Sequence, residues 1–140
     1  METLVKPVST KIGKNQASEG ANHASNELDK AAAGLKSVMD NSKDAELRMV
    51  ARLRLARVQS AQGKHDEALA TLKVDDPGEF APRIADTRGD VLLAKGDRDG
   101  ALKEYLAARV GENKGGVDFD LLDLKIRDLG GTPPATPGES

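Results

Sequence analysis

The residues able to do chemistry in this chain are few, and their spacing does not serve it. His23 and His65 are the only imidazoles. A transition-metal site built on either needs a second His or Cys three or four residues along a helix, and neither has one. There is no cysteine, which removes disulfides, thiolate nucleophiles and zinc–thiolate sites. The G-x-x-x-x-G-K loop that cradles phosphate is absent. No Ser, His and Asp set stands out, and the Lys–Asp and Glu–Lys neighbours are those of any charged helix. Arg88-Gly89-Asp90 spells a cell-adhesion tripeptide, but it falls mid-helix, where it is not displayed as a loop. The expectation is a protein with no catalytic residues, no metal and no cofactor, and therefore not an enzyme.

Charge is the other candidate for chemistry. Arg48, Arg52, Arg54 and Arg57 form a basic cluster that would suit an acidic partner. Asp44, Glu46 and Glu67 lie close in sequence, so a solvated, mutually compensated face is the simpler reading. Across the chain, 21 basic residues oppose 23 acidic ones for a net charge of -2. No one-signed field exists to attract nucleic acid or an anionic membrane. The aromatics are Phe80, Tyr105 and Phe119, too few for a base-stacking platform.

These residues must sit on helices. The 140 residues suit one domain with some tail, and its core must come from Leu, Val, Ile and Ala, among which Ala and Leu favour helix. Two segments align without gaps, LRLARVQSAQGKHDEALATL and TRGDVLLAKGDRDGALKEYL. Gly63 matches Gly96 at an offset of 33, and the same offset pairs Ala51 with Ile84, Ala68 with Ala101, and Leu72 with Tyr105. A period near 34 of helix, glycine turn and helix is the tetratricopeptide repeat signature. Leu47, Ala51, Leu55 and Val58 share one helix face. Gly63 ends that helix, because glycine accepts the left-handed conformation of a C-terminal cap. Asp66 and Glu67 open the next helix, where the macrodipole favours negative charge. Ala68 falls at a close helix crossing, where a larger residue would overpack by about 1–3 kcal/mol. Arg88 stands where the first copy has Leu55. Its stem can pack while its head reaches solvent or a carboxylate, with Asp90, Asp118 and Asp120 as candidates.

An eroded third copy lies upstream. ELDKAAAGLKSV reads as a second-helix segment, with Ala31 equivalent to Ala68 and Leu35 to Leu72. Its partner helix falls within residues 1–25, a polar stretch that reads as a weak helix or disorder. After a GENKGG loop, VDFDLLDLKIRDL reads as a capping helix with Phe119, Leu122, Ile126 and Leu129 on its apolar face. The expected architecture is all-α. Antiparallel helix pairs stack in a short right-handed tetratricopeptide-like solenoid over residues 26–129, and residues 130–140 form a disordered tail. No run approaches the roughly 18 apolar residues of a membrane span, and no signal peptide is visible.

The segments LRLARV, GKHDEALATL, RGDVLLAKGDRDGA and LLDLKIRDL resemble the tetratricopeptide-like domain of the ancillary SecYEG translocon subunit (YfgM-like) family of Gram-negative bacteria. The resemblance covers about residues 27–129. It implies an N-terminal membrane anchor outside this chain, a domain exposed on the periplasmic side of the inner membrane, and association with translocon subunits. It further implies a periplasmic folding factor such as PpiD as partner, and a chaperone-like role in protein transport. The family supplies no catalytic residues. With no anchor visible, the chain reads as a soluble piece of an anchored protein, and its first repeat is more polar than the family's.

In such a stack the concave groove is lined by the first helix of each pair. By repeat position those residues are Val50, Leu53, Arg57 and Ser60, then Arg83, Asp86, Asp90 and Leu93. Val50 and Leu53 are apolar on a face opposite the core face, which suits a peptide or partner protein. The simpler readings are packing on the preceding helix pair for Val50 and plain solvated charge for Arg57 and Asp90. A generic repeat scaffold, or a homodimer formed through the poorly covered first repeat, is the alternative function.

Overall fold

The computed structural model describes residues 23–110 and 116–135, and every element in them is helical. Helix α1 covers residues 23–41. Helices α2 (Ala45–Ala61), α3 (His65–Thr71), α4 (Ala81–Lys95), α5 (Arg98–Ala108) and α6 (Phe119–Asp128) follow, with a 3-10 turn, Gly78–Phe80, ahead of α4. The weak helix expected within residues 1–25 lies outside the described residues, apart from 23–25, which already belong to α1.

Local chemistry sets the helix ends. The Asp44 carboxylate accepts from the Glu46 and Leu47 N–H groups and starts α2. Asp97 accepts from Gly100 N–H at the start of α5, and Asp118 accepts from Asp120 and Leu121 at the start of α6. Each satisfies amide donors that have no partner inside the helix. The stops repeat as closely as the starts. Gly63 (φ 81) and Gly96 (φ 97) are left-handed. Gly63 N–H bonds Ser60 O while Lys64 N–H bonds Gln59 O; 33 residues on, Gly96 N–H bonds Leu93 O while Asp97 N–H bonds Leu92 O. This is the same paired closure at both turns. Gly130 and Gly131 close α6 likewise, onto Arg127 O and Ile126 O.

Helix α4 is central. It packs on α2, α3 and α5, and α5 carries α6. One core cluster joins Leu53 and Ala56 of α2, Ala68 and Leu72 around α3, and Ile84 and Val91 of α4. A second joins Ala101, Tyr105 and Ala108 of α5 to Val117, Leu122 and Ile126. The offset pairs Ala51/Ile84, Ala68/Ala101 and Leu72/Tyr105 are all buried. Gly89 permits a close approach of α4 and α5: a Cβ there would lie 2.5 Å from Tyr105 Cε1. Phe119 and Leu129 pack beside Leu122 and Ile126, so α6 uses the expected apolar face.

Several expectations are corrected. Leu47 is 48% exposed, while Leu53, placed on the opposite face, is 5% exposed. Helix α3 has only seven residues and ends level with Arg52, whose Nη1 donates to Thr71 O at 2.8 Å. Leu47 lies five residues beyond that, roughly 7 Å of helix, and has nothing from α3 to cover it. Arg88 takes none of the three candidate carboxylates. Its Nη2 donates to Leu72 O at 3.1 Å and its Nη1 faces Glu104 at 3.9 Å. Residues 88 and 90 point about 200° apart on a helix, so Arg88 faces α3 and α5. Ala31 is exposed, with Leu28, Ala32 and Leu35 half-buried instead, so it does not repeat the buried crossing of Ala68. Residues 130–135, assigned to a tail, begin against the domain: a Cβ on Gly131 would press on Leu102 and Ile126.

Two arginines of the basic cluster serve helix ends. Arg48 donates to Ser42 O at 2.7 Å just past α1, and Arg52 to Thr71 O at the end of α3. With Arg88 on Leu72 O, two guanidinium groups meet the negative pole of the short α3.

Candidate partner-binding groove

The inner faces of α2, α4 and α6 meet along a row of charges. Arg57 Nη1 of α2 donates to Asp90 Oδ2 of α4 at 2.8 Å, and Arg57 Nη2 to Thr87 Oγ1 at 3.3 Å. Tyr105 Oη donates to Asp90 Oδ1 at 2.6 Å. Lys125 Nζ of α6 donates to both Asp86 Oδ1 and Asp90 Oδ1 at 3.1 Å, and lies 5.3 Å from the centre of the Tyr105 ring. Burial pushes the Asp90 carboxyl up, but the hydrogen bonds from Tyr105 and Arg57 and the charge of Lys125 outweigh it and hold it below the ordinary range. The Tyr105 hydroxyl is pushed well above its usual value, first by burial and then by its bond to the Asp90 carboxylate.

Beside this row runs a groove in two lobes. One, of about 360 Å³, is lined by Val50, Leu53, Arg54 and Arg57 of α2, Arg83, Asp86 and Thr87 of α4, and Gly116 to Asp118. The other, of about 500 Å³, is lined by Ala45, Glu46 and Met49 of α2, Asp76 and Pro77, Glu79 and Phe80 of the 3-10 turn, and again Arg83 and Gly116. The shared residues make the lobes continuous. The Arg83 guanidinium stands 5.2 Å over the Phe80 ring at the junction.

Of the eight residues assigned to the groove, Val50, Leu53, Arg57, Arg83 and Asp86 line one lobe together. Leu53 contributes little surface there, because it belongs to the core. Asp90 lies behind the lobe, taken up by Arg57, Tyr105 and Lys125. Ser60 turns away to His65, with Oγ and Nδ1 3.1 Å apart, and Leu93 is exposed without lining either lobe. Sequence reasoning missed Glu46, Met49, Arg54 and Phe80 on the groove, and Lys125 in the charge row. One signal was present for the Arg57–Asp90 pair: opposite charges at the repeat offset of 33 face each other wherever successive first helices lie side by side.

Residues 16–131 match the family described as the tetratricopeptide repeat-like domain. The chain is 38% identical over 104 residues to the ancillary SecYEG translocon subunit of Escherichia coli, covering 74% of this chain and 50% of that protein. It is 37% identical over 95 residues to the Neisseria gonorrhoeae protein of that name, covering 68% of this chain and 46% of the relative. The chain thus spans about half the length of these relatives. No solved structure matches it. No helix among the described residues is long and apolar enough to cross a membrane.

Proposed function

The chain belongs to the tetratricopeptide repeat-like domain family, and on that premise we propose that it is a non-enzymatic, translocon-associated interaction module that docks an extended segment of a partner protein in the α2–α4 groove. The family is a binding kind rather than a catalytic one, and relatives named for the translocon supply the setting. The observation that carries the docking reading is the groove itself. Both lobes run along the inner faces of successive first helices, with half-buried Met49, Val50 and Phe80 to receive apolar side chains. Binding is reversible and modest in affinity, since ordering of side chains and of the segment offsets much of the gain.

The finer reading places the module on the periplasmic side of the inner membrane, beside a folding factor such as PpiD and newly exported chains. It rests on the family resemblance alone. A photo-crosslinking residue at position 50 of the protein in its native organism tests both levels. Adducts with translocon subunits that are missing when the same group replaces Lys103, exposed on α5, support docking in the groove. Equal adducts at both positions, or none with the translocon, overturn it. Recovery of a periplasmic folding factor decides the finer reading.

A further inference from the structure

We infer that the groove selects a dipolar extended segment: a lysine or arginine and an aspartate or glutamate four positions apart, in either order, with an apolar residue midway between them. This rests on the docking reading above and adds the chemistry of the occupant. The charges facing the groove are sorted along it. Glu46, Asp76 and Glu79 stand around the Met49–Phe80 lobe. Arg54 lines the second lobe, and Arg83 stands where the two join. None of these five charges is in an ion pair among the described residues. The other charges of the second lobe are committed: Arg57 to Asp90, Asp86 to Lys125, and Asp118 to the first amides of α6. Among the described residues, what remains for a partner is negative at one end, apolar between, and positive at the other.

The spacing fixes the length of the segment. Glu46 and Arg54 are eight residues apart on α2, roughly 12 Å of helix. An extended chain rises about 3.3 Å per residue and points alternate side chains to one face. Its residues i, i+2 and i+4 therefore span about 13 Å and all face the groove. A basic residue then meets Glu46, Asp76 and Glu79, an apolar one meets Met49 and Phe80, and an acidic one meets Arg54 and Arg83. Either chain direction satisfies the match.

The test uses the whole chain and three labelled peptides that differ only in a central pentad: Lys-Ser-Leu-Ser-Glu, Lys-Ser-Leu-Ser-Lys and Glu-Ser-Leu-Ser-Glu. The dipolar peptide is expected to bind about tenfold more tightly than either like-charged one, the effect of one or two exposed ion pairs. Arg54→Glu, a change at an exposed site, leaves a negative and a positive charge (Arg83) at that end and is expected to abolish the dipolar peptide's advantage over the doubly basic one. If a like-charged peptide binds as well as the dipolar one, if the dipolar peptide does not bind, or if Arg54→Glu leaves that advantage unchanged, the inference is overturned. The position-50 crosslink keeps the two readings apart. If it forms with the translocon while the peptides fail, docking stands without charge sorting. If it does not form and the peptides fail, both readings go.

Discussion

Arg57 and Asp90 hold the same position in successive repeats, 33 residues apart, and their side chains meet at 2.8 Å. Lys125 reaches the same carboxylate from α6. One residue from each of three helices thus forms a plus–minus–plus row that ties α2, α4 and α6 together behind the groove.

A double-mutant cycle on Arg57→Ala and Asp90→Ala measures that tie. Arg57 is half exposed and Asp90 less so, so a coupling of about 1 kcal/mol is expected in chemical denaturation. Costs that simply add would show that the row holds nothing together.

The same cluster sets a pH window. The depressed Asp90 carboxyl contributes stability above its unfolded value near 3.8, and that contribution is lost as pH falls through the lower folded value. The raised Tyr105 hydroxyl contributes stability that is fully present below 10.0 and is lost as pH rises beyond it. Denaturation midpoints measured from about pH 3 to about pH 11 should fall at both ends. Tyr105→Phe should flatten the alkaline limb relative to the unmutated protein. An unchanged alkaline limb would show that Tyr105 is not its source.

Two helical glycines should respond with opposite sign. Gly89→Ala drives a Cβ into the Tyr105 ring and should cost about 1–3 kcal/mol. Gly34 in α1 has open space around its Cβ direction, so Gly34→Ala should add about 0.5–1 kcal/mol. Thermal unfolding of the two variants compares them directly.

Helix α3 should depend on its two borrowed guanidinium groups. Arg52→Met and Arg88→Met each leave a helix-end carbonyl without its charged donor, at about 1 kcal/mol apiece. Hydrogen exchange should quicken first in the amides of α3. Protection that drops evenly along the chain would argue against a local capping role.

The repeat, the glycine stops and the small residues at helix crossings were legible because each is a local demand. Gly63 and Gly96 must be left-handed where they stand, and Ala68 and Ala101 must be small, whatever surrounds them. The capping face of α6 was legible for the same reason, since a 3.6-residue period marks it. Half of the groove was not. Leu53 and Leu47 exchanged roles because burial on α2 depends on how far the seven-residue α3 reaches. Arg48 and Arg52 read as surface charge because their partners are backbone carbonyls, which no residue type announces.

By itself, then, the sequence determined that this chain is a stack of helix pairs with a capped end, because periodicity, capping and turn chemistry act over a few residues. Only the tertiary structure decided which charges neutralise one another and which are left facing the groove. Arg57, Asp90 and Lys125 are brought together by helix crossings, and Glu46, Arg54 and Arg83 are left over by the same geometry. Pairing across helices depends on distance and direction in space, and one-dimensional spacing carries that information only where, as between Arg57 and Asp90, the repeat itself brings equivalent positions side by side.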